Sequence, residues 1–146
     1  MVQNHGRKVM INIPIFFAVN DAFVKYMCTA LESLKEYVST DTVYDIQILY
    51  SSLSNDNQTI LKSYETYNVK VDFYNVESYF PADLKENGRW SKEIYYRLII
   101  PYIFTDLEKA LYLDADIIFR EDPKKLYDVD IVIIILVQYL NLVINV

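Results

Sequence analysis

The chain has 146 residues, of which 53% are hydrophobic and 15% aromatic, with a net charge of −6. That length fits one domain, and the apolar content fills a core, which excludes global disorder. The acidic balance speaks against a general nucleic-acid binder, which would carry a basic face.

Residues 1–8 are polar and read as a loose, flexible tail, leaving 9–146 as a single domain. His5, Arg7 and Lys8 ahead of the apolar run 9–19 loosely imitate a signal peptide. Asn12 and Pro14 interrupt that run, and Asn20-Asp21 is a poor cleavage environment, so a first strand is the better reading. Being almost continuously apolar, this strand is expected to be buried on both faces, as in a parallel sheet. Asn20 or Asp21 then serves as a helix N-cap. From Phe23, apolar residues recur at Tyr26, Met27, Ala30, Leu31, Leu34 and Val38 with helical spacing, ending near residues 39–41. Cys28 falls on that apolar face, which predicts a buried, inert thiol; a single cysteine rules out an intramolecular disulfide and fits a reducing compartment.

Residues 43–50 read as a second strand, 54–67 as a helix capped by Ser54, and 69–75 as a third strand. Strand and helix alternate, which predicts right-handed βαβ units and a parallel sheet. In such sheets ligands lie at the carboxyl ends of the strands, where Asn20-Asp21 stands. No strand is followed by a dinucleotide fingerprint or a P-loop. Residues 81–88 read as a loop, and Ser91 as the cap of a helix over 92–100 that Pro101 stops or kinks. Residues 109–113 form a further strand, and Pro123 opens a short helix reaching Leu126-Tyr127. Residues 131–146 are apolar apart from Gln138, Asn141 and Asn145. At 16 residues they fall short of the roughly 20 of a spanning helix. They read as one or two buried strands, with a membrane-associated tail as the alternative.

The most informative stretch is Leu111-Tyr112-Leu113-Asp114-Ala115-Asp116-Ile117-Ile118-Phe119. Residues i and i+2 of an extended chain point to one side, so Asp114 and Asp116 can converge on a hard divalent ion, Mn²⁺ or Mg²⁺. The plainer alternative is a polar turn whose carboxylates cap backbone N–H groups. Asn20-Asp21, Arg97 and Asp114/Asp116 can meet at one sheet edge and form a site for a metal-chelated diphosphate, with Arg97 on the phosphates. Arg97 could equally form a surface ion pair or lie over a ring. His5 as sole histidine leaves a Ser-His-Asp or Cys-His machine without a base, and one Cys with one His excludes a structural zinc site.

Ile13-Pro14-Ile15-Phe16-Phe17-Ala18-Val19-Asn20-Asp21 with Tyr26 and Ser33-Leu34, then Tyr95-Tyr96-Arg97-Leu98 with Pro101 and the Asp114-Ala115-Asp116 stretch, resemble family 8 glycosyltransferases. The resemblance covers residues 9–130. It implies a GT-A fold: a Rossmann-like, three-layer α/β domain with a mainly parallel central sheet. It implies a retaining transferase with a UDP-glucose or UDP-galactose donor, a saccharide or glycan acceptor, and Mn²⁺ or Mg²⁺. By the same resemblance Ala18, Asn20 and Asp21 contact the uridine and Phe23 stacks on the base. Arg97 faces the donor, Asp114 and Asp116 bind the metal, with Asp114 near the ribose, and Ala115 belongs to the same donor-binding stretch.

Asn20 replaces an Asp of many members and Ala22 an Asn. The family's third metal ligand, a downstream histidine, has no counterpart after His5. The expectation is therefore a C-terminally incomplete member: a metal-dependent glycosyltransferase or, alternatively, an inactive nucleotide-sugar-binding or assembly module. A homodimer through the apolar segment 131–146 and a cytoplasmic location, with the inner face of the membrane as alternative, complete the expectations.

Overall fold

The structure is a computed structural model that describes residues 10–81 and 92–130. The expected tail 1–8, the Ser91 cap, most of the 81–88 loop and the apolar segment 131–146 with its strands and dimer contact lie outside the described residues.

The chain runs β1 (Ile11–Ala18), a 3-10 turn (Asp21–Phe23), α1 (Val24–Lys35), β2 (Thr42–Tyr50), α2 (Asn55–Lys62) and β3 (Val69–Asn75). A 3-10 turn (Glu77–Tyr79) follows, then α3 (Glu93–Tyr96), a 3-10 turn (Arg97–Ile99), α4 (Ile100–Ile103), β4 (Leu111–Tyr112) and α5 (Lys124–Tyr127). The strands pair in the order β3-β2-β1-β4, and all three pairings are parallel. Among the described residues β1 is thus a central strand, which accounts for its uninterrupted apolar run.

Alternation along the strands splits the apolar residues between two layers. Ile13, Ile15 and Phe17 of β1 join Tyr44, Ile46 and Ile48 of β2 and Val69 and Val71 of β3 on one face. Met27, Ala30, Leu31 and Leu34 of α1 and Leu61 of α2 close that face. Phe16, Leu49, Val76 and Tyr96 form the second core with Ile99, Ile100, Ile103 and Phe104 of the later helical segment. The result is the expected three-layer α/β arrangement. Cys28 is half-buried against the first core, less enclosed than expected.

Where the elements differ from expectation, a particular bond explains it. β4 is shorter than residues 109–113. The amides of Ile11 and Val19 bond to Asp41 and Leu49 on the β2 side, so the nitrogen of Pro14 faces the β4 side. Proline has no hydrogen to donate there, and pairing with β4 begins only at Ile15↔Leu111. α1 stops at Lys35 because Ser39 is committed elsewhere: its amide donates to the Tyr44 hydroxyl (3.1 Å), and its carbonyl accepts from Asn68 Nδ2 (2.8 Å). α2 stops at Lys62 because the following residues turn onto β3, with Glu65 accepting from the Val71 amide (3.0 Å) and Thr66 donating to the Val69 carbonyl (2.9 Å). Pro101 does not end the helical path. It sits in the first turn of α4, where its missing N–H costs nothing, and the path breaks before it into a 3-10 turn.

Asp122 ties the chain beyond the acidic pair back to the start of β2. It accepts from the hydroxyls of Ser39 and fully buried Tyr44 (2.5 Å for the latter), and from the Lys124 amide (2.8 Å). Ser33 Oγ accepts from the Phe119 amide (3.0 Å) on the way. Among the described residues no helix is long and apolar enough to cross a membrane.

Burial pushes the Asp122 carboxyl up, but the hydrogen bonds from Ser39, Tyr44 and the Lys124 amide outweigh it and hold it below the usual carboxylate range. A depressed folded-state pKa stabilises above the unfolded value of about 4, and that contribution is lost as pH falls through the folded value. Asp122→Asn is expected to cost about 1–3 kcal/mol at pH 7. Urea melts should show the gap from wild type narrowing below about pH 4; a gap independent of pH would contradict this role.

Candidate functional site

Parallel pairing places the carboxyl ends of β1 and β4 at one edge of the sheet. Leu113 continues from β4 by donating its amide to the Phe16 carbonyl (2.9 Å). Leu113 and Ala115 are buried, whereas Asp114 and Asp116 are exposed. The strand does not run through the two carboxylates: residues 115–116 form a turn. The extended geometry expected to align Asp114 with Asp116 thus gives way to the turn weighed as its alternative. Ala115 packs its methyl into the core, so any ligand contact it makes is through backbone.

Arg97 reaches this end from the helical segment on the second face. Its guanidinium lies 4.5 Å above the Tyr112 ring, and its terminal nitrogen is 3.7 Å from Asp114 Oδ1. Its Nε donates to the Ile94 carbonyl (3.0 Å), which fixes the guanidinium from behind. Both alternatives weighed from sequence for Arg97, the ion pair and the cation over a ring, are present together. Burial pushes the Tyr112 hydroxyl up to about 12, against the pull of the Arg97 cation. The ring therefore stays neutral and keeps a face for the cation. With Asp114 61% exposed, the ion pair contributes at most about 1 kcal/mol.

Asn20 caps the turn after β1, its Oδ1 accepting from the Ala22 amide (3.1 Å). Its Nδ2 donates to Glu93 Oε1 (3.0 Å), one helical turn before Arg97. Asp21 is bound to the start of α2. One of its oxygens accepts from Asn57 Nδ2 (2.7 Å), the Ser54 amide (2.9 Å) and Ser54 Oγ (3.0 Å). The Asn57 bond, followed by the Ser54 amide, holds the Asp21 carboxyl below its usual range. Ala18 is half-buried against the second core. Phe23 is half-exposed, its ring 5.6 Å from that of Tyr26, over which Lys25 Nζ sits at 4.9 Å.

The structure thus brings Arg97 to Asp114, joins Asn20 to the same helical segment, and commits Asp21 to the start of α2. Glu93 was missed in the sequence. Its spacing of four from Arg97, which puts the two on one helix face, was the available signal. Asp114 and Asp116 offer hard carboxylate oxygens of the kind Mn²⁺ and Mg²⁺ take. Among the described residues no group of three or more His, Cys, Asp or Glu gathers to hold a metal. The two acids fit such an ion only as part of an open shell completed by water or ligand oxygens.

Comparison with known proteins sets this geometry in context. The pattern of glycosyl transferase family 8 matches residues 14–140. General stress protein A of Bacillus subtilis (strain 168) is 23% identical over 120 residues, covering 80% of this chain and 42% of that protein. The galactosyltransferase LgtC, solved with donor and acceptor sugar analogues, is 27% identical with a TM-score of 0.62, over 81% of this chain and 43% of its own. The bifunctional glycosyltransferase WbbM superposes with a TM-score of 0.72 at 24% identity, over 82% of this chain and 21% of its own, a likeness of fold. The architecture is that of GT-A glycosyltransferases. The chain spans about two fifths of the length of General stress protein A and of LgtC.

Asp21→Ala removes one acceptor from three donors at the start of α2. Hydrogen exchange of the Ser54 and Asn57 amides should speed up several-fold while amides in β1 and β2 keep their protection. Unchanged exchange at Ser54 would show that the contact does not order the loop.

Proposed function

The chain belongs to glycosyl transferase family 8, and we propose that it forms the donor-binding part of a metal-dependent, retaining glycosyltransferase. The donor is a nucleotide sugar of the UDP-glucose or UDP-galactose type and the acceptor a saccharide or glycan. The observation that carries this reading is the 3.7 Å approach of Arg97 to Asp114 at the carboxyl end of β4. A cation and two exposed carboxylates there are complementary to a diphosphate and the ion that accompanies it.

In this assignment Asn20, Ala18 and Phe23 take the uridine at the end of β1. Asp21 holds their loop through Ser54 and Asn57. Asp114 and Asp116 hold Mn²⁺ or Mg²⁺, which when bound supplies Lewis-acid stabilisation of the departing diphosphate. Arg97, kept in place by the Ile94 carbonyl and the Tyr112 ring, places a planar guanidinium against phosphate oxygens. The bond from the sugar's anomeric carbon to the phosphate oxygen breaks as the bond to the acceptor oxygen forms. The acceptor's proton passes to the leaving phosphate.

A second reading is a module that binds the donor without turning it over, for which the exposed carboxylates of Asp114 and Asp116 and the neighbouring Arg97 suffice. Release of sugar from a UDP-sugar in the presence of Mn²⁺ separates the two.

Calorimetric titration tests the donor site itself. UDP is expected to bind this chain only with Mn²⁺ present, and Asp114→Asn/Asp116→Asn to weaken that binding by about tenfold or more. UDP affinity that is the same with and without Mn²⁺, or in the double variant, would sink the assignment.

A further inference from the structure

Glu93 lies outside every contact assigned above to the donor, yet it joins the two halves of the site. Its Oε1 accepts from Asn20 Nδ2 at 3.0 Å across 73 positions of sequence, in a part-buried setting. Four residues on, Arg97 meets Asp114. The segment from Glu93 to Arg97 therefore grips the end of β1 with one side chain and the end of β4 with the other.

The consequence for Asn20 is specific. A carboxamide can be turned over, exchanging its oxygen and its NH₂. Here the Ala22 amide needs an acceptor, and the Glu93 carboxylate needs a donor. The two demands are satisfied together in one orientation. The second N–H and the second oxygen lone pair of Asn20 are then presented in a fixed order.

We propose that Glu93 is a positioning residue for nucleobase binding, acting by fixing the amide of Asn20. This rests on the donor-site reading above. Its reach and its acceptor oxygen matter; its charge does not act on the ligand directly. Glu93→Gln keeps an acceptor oxygen at the same reach, whereas Glu93→Asp keeps the charge but withdraws it by one methylene.

Uridine, which carries no phosphate, reports the base side alone and is titrated against the full chain by NMR. Mn²⁺ binding, followed by electron paramagnetic resonance, reports the acidic pair. Glu93→Asp is expected to weaken uridine binding about tenfold, the effect of losing one hydrogen bond to a charged group. Glu93→Gln should stay within about threefold of wild type, and both variants should bind Mn²⁺ as wild type does. Loss of Mn²⁺ binding together with uridine would mark a merely structural role and overturn the proposal. So would equal uridine affinity in Glu93→Asp and wild type, or a reversed order of the two variants. If wild type binds UDP with Mn²⁺ but not uridine, this inference fails while the donor site stands. If wild type binds neither, the donor-site reading fails and takes this one with it.

Discussion

Everything at the candidate site depends on the parallel pairing of β1 with β2 on one side and β4 on the other. Parallel strands end at a common edge, so residues 20 and 114, far apart in sequence, follow neighbouring strands at that edge. The pairing also limits itself. Pro14 supplies no N–H toward β4, and the ladder there is short, beginning at Ile15. The chain leaves the sheet within a residue or two, and the acidic pair comes where backbone is free to turn and carboxylates can meet solvent.

The two ends of the sheet are held by different kinds of interaction. At the amino end Asp122, Ser39 and buried Tyr44 share a network in which each member has its partners. Such a network rigidifies and is costly to break. At the carboxyl end the contacts are an exposed ion pair, a cation over a ring and one amide–carboxylate bond. The exposed ion pair contributes little to stability and can be exchanged for ligand contacts at small cost, whereas the part-buried bond from Asn20 to Glu93 keeps the end of β1 tied to the helical segment. The segment after Asp116 connects the ends, returning past Ser33 to Asp122. The soft end of the site is thereby suspended from a firm one.

Much of this was legible beforehand. The apolar run of β1, the spacing of Met27, Leu31 and Leu34, and the Ser54 cap each carry a local signal, and the structure bears out these elements. The misjudged ends have a common cause. Ser39, Glu65 and Thr66 are compatible with continuing a helix, and what stops the helix is a bond to a residue remote in sequence or on the next strand. Pro101 was expected to interrupt a helix and instead begins one, because the preceding turn had already changed to 3-10 geometry.

The sequence by itself determined the fold class, the order of the elements and the family, because periodicity and a motif are properties of neighbouring residues. It also placed two carboxylates just past the end of a strand, although the extended run expected through them gives way to a turn at residues 115–116. The tertiary structure decided which polar groups meet. Asp21 was a cap or a base contact in the sequence, and in the fold it is bound to the start of α2. Glu93 carried no signal beyond its spacing from Arg97, and in the fold it holds Asn20. A side chain's partner is set by the packing of distant segments within about 3 Å, and no local pattern contains that distance.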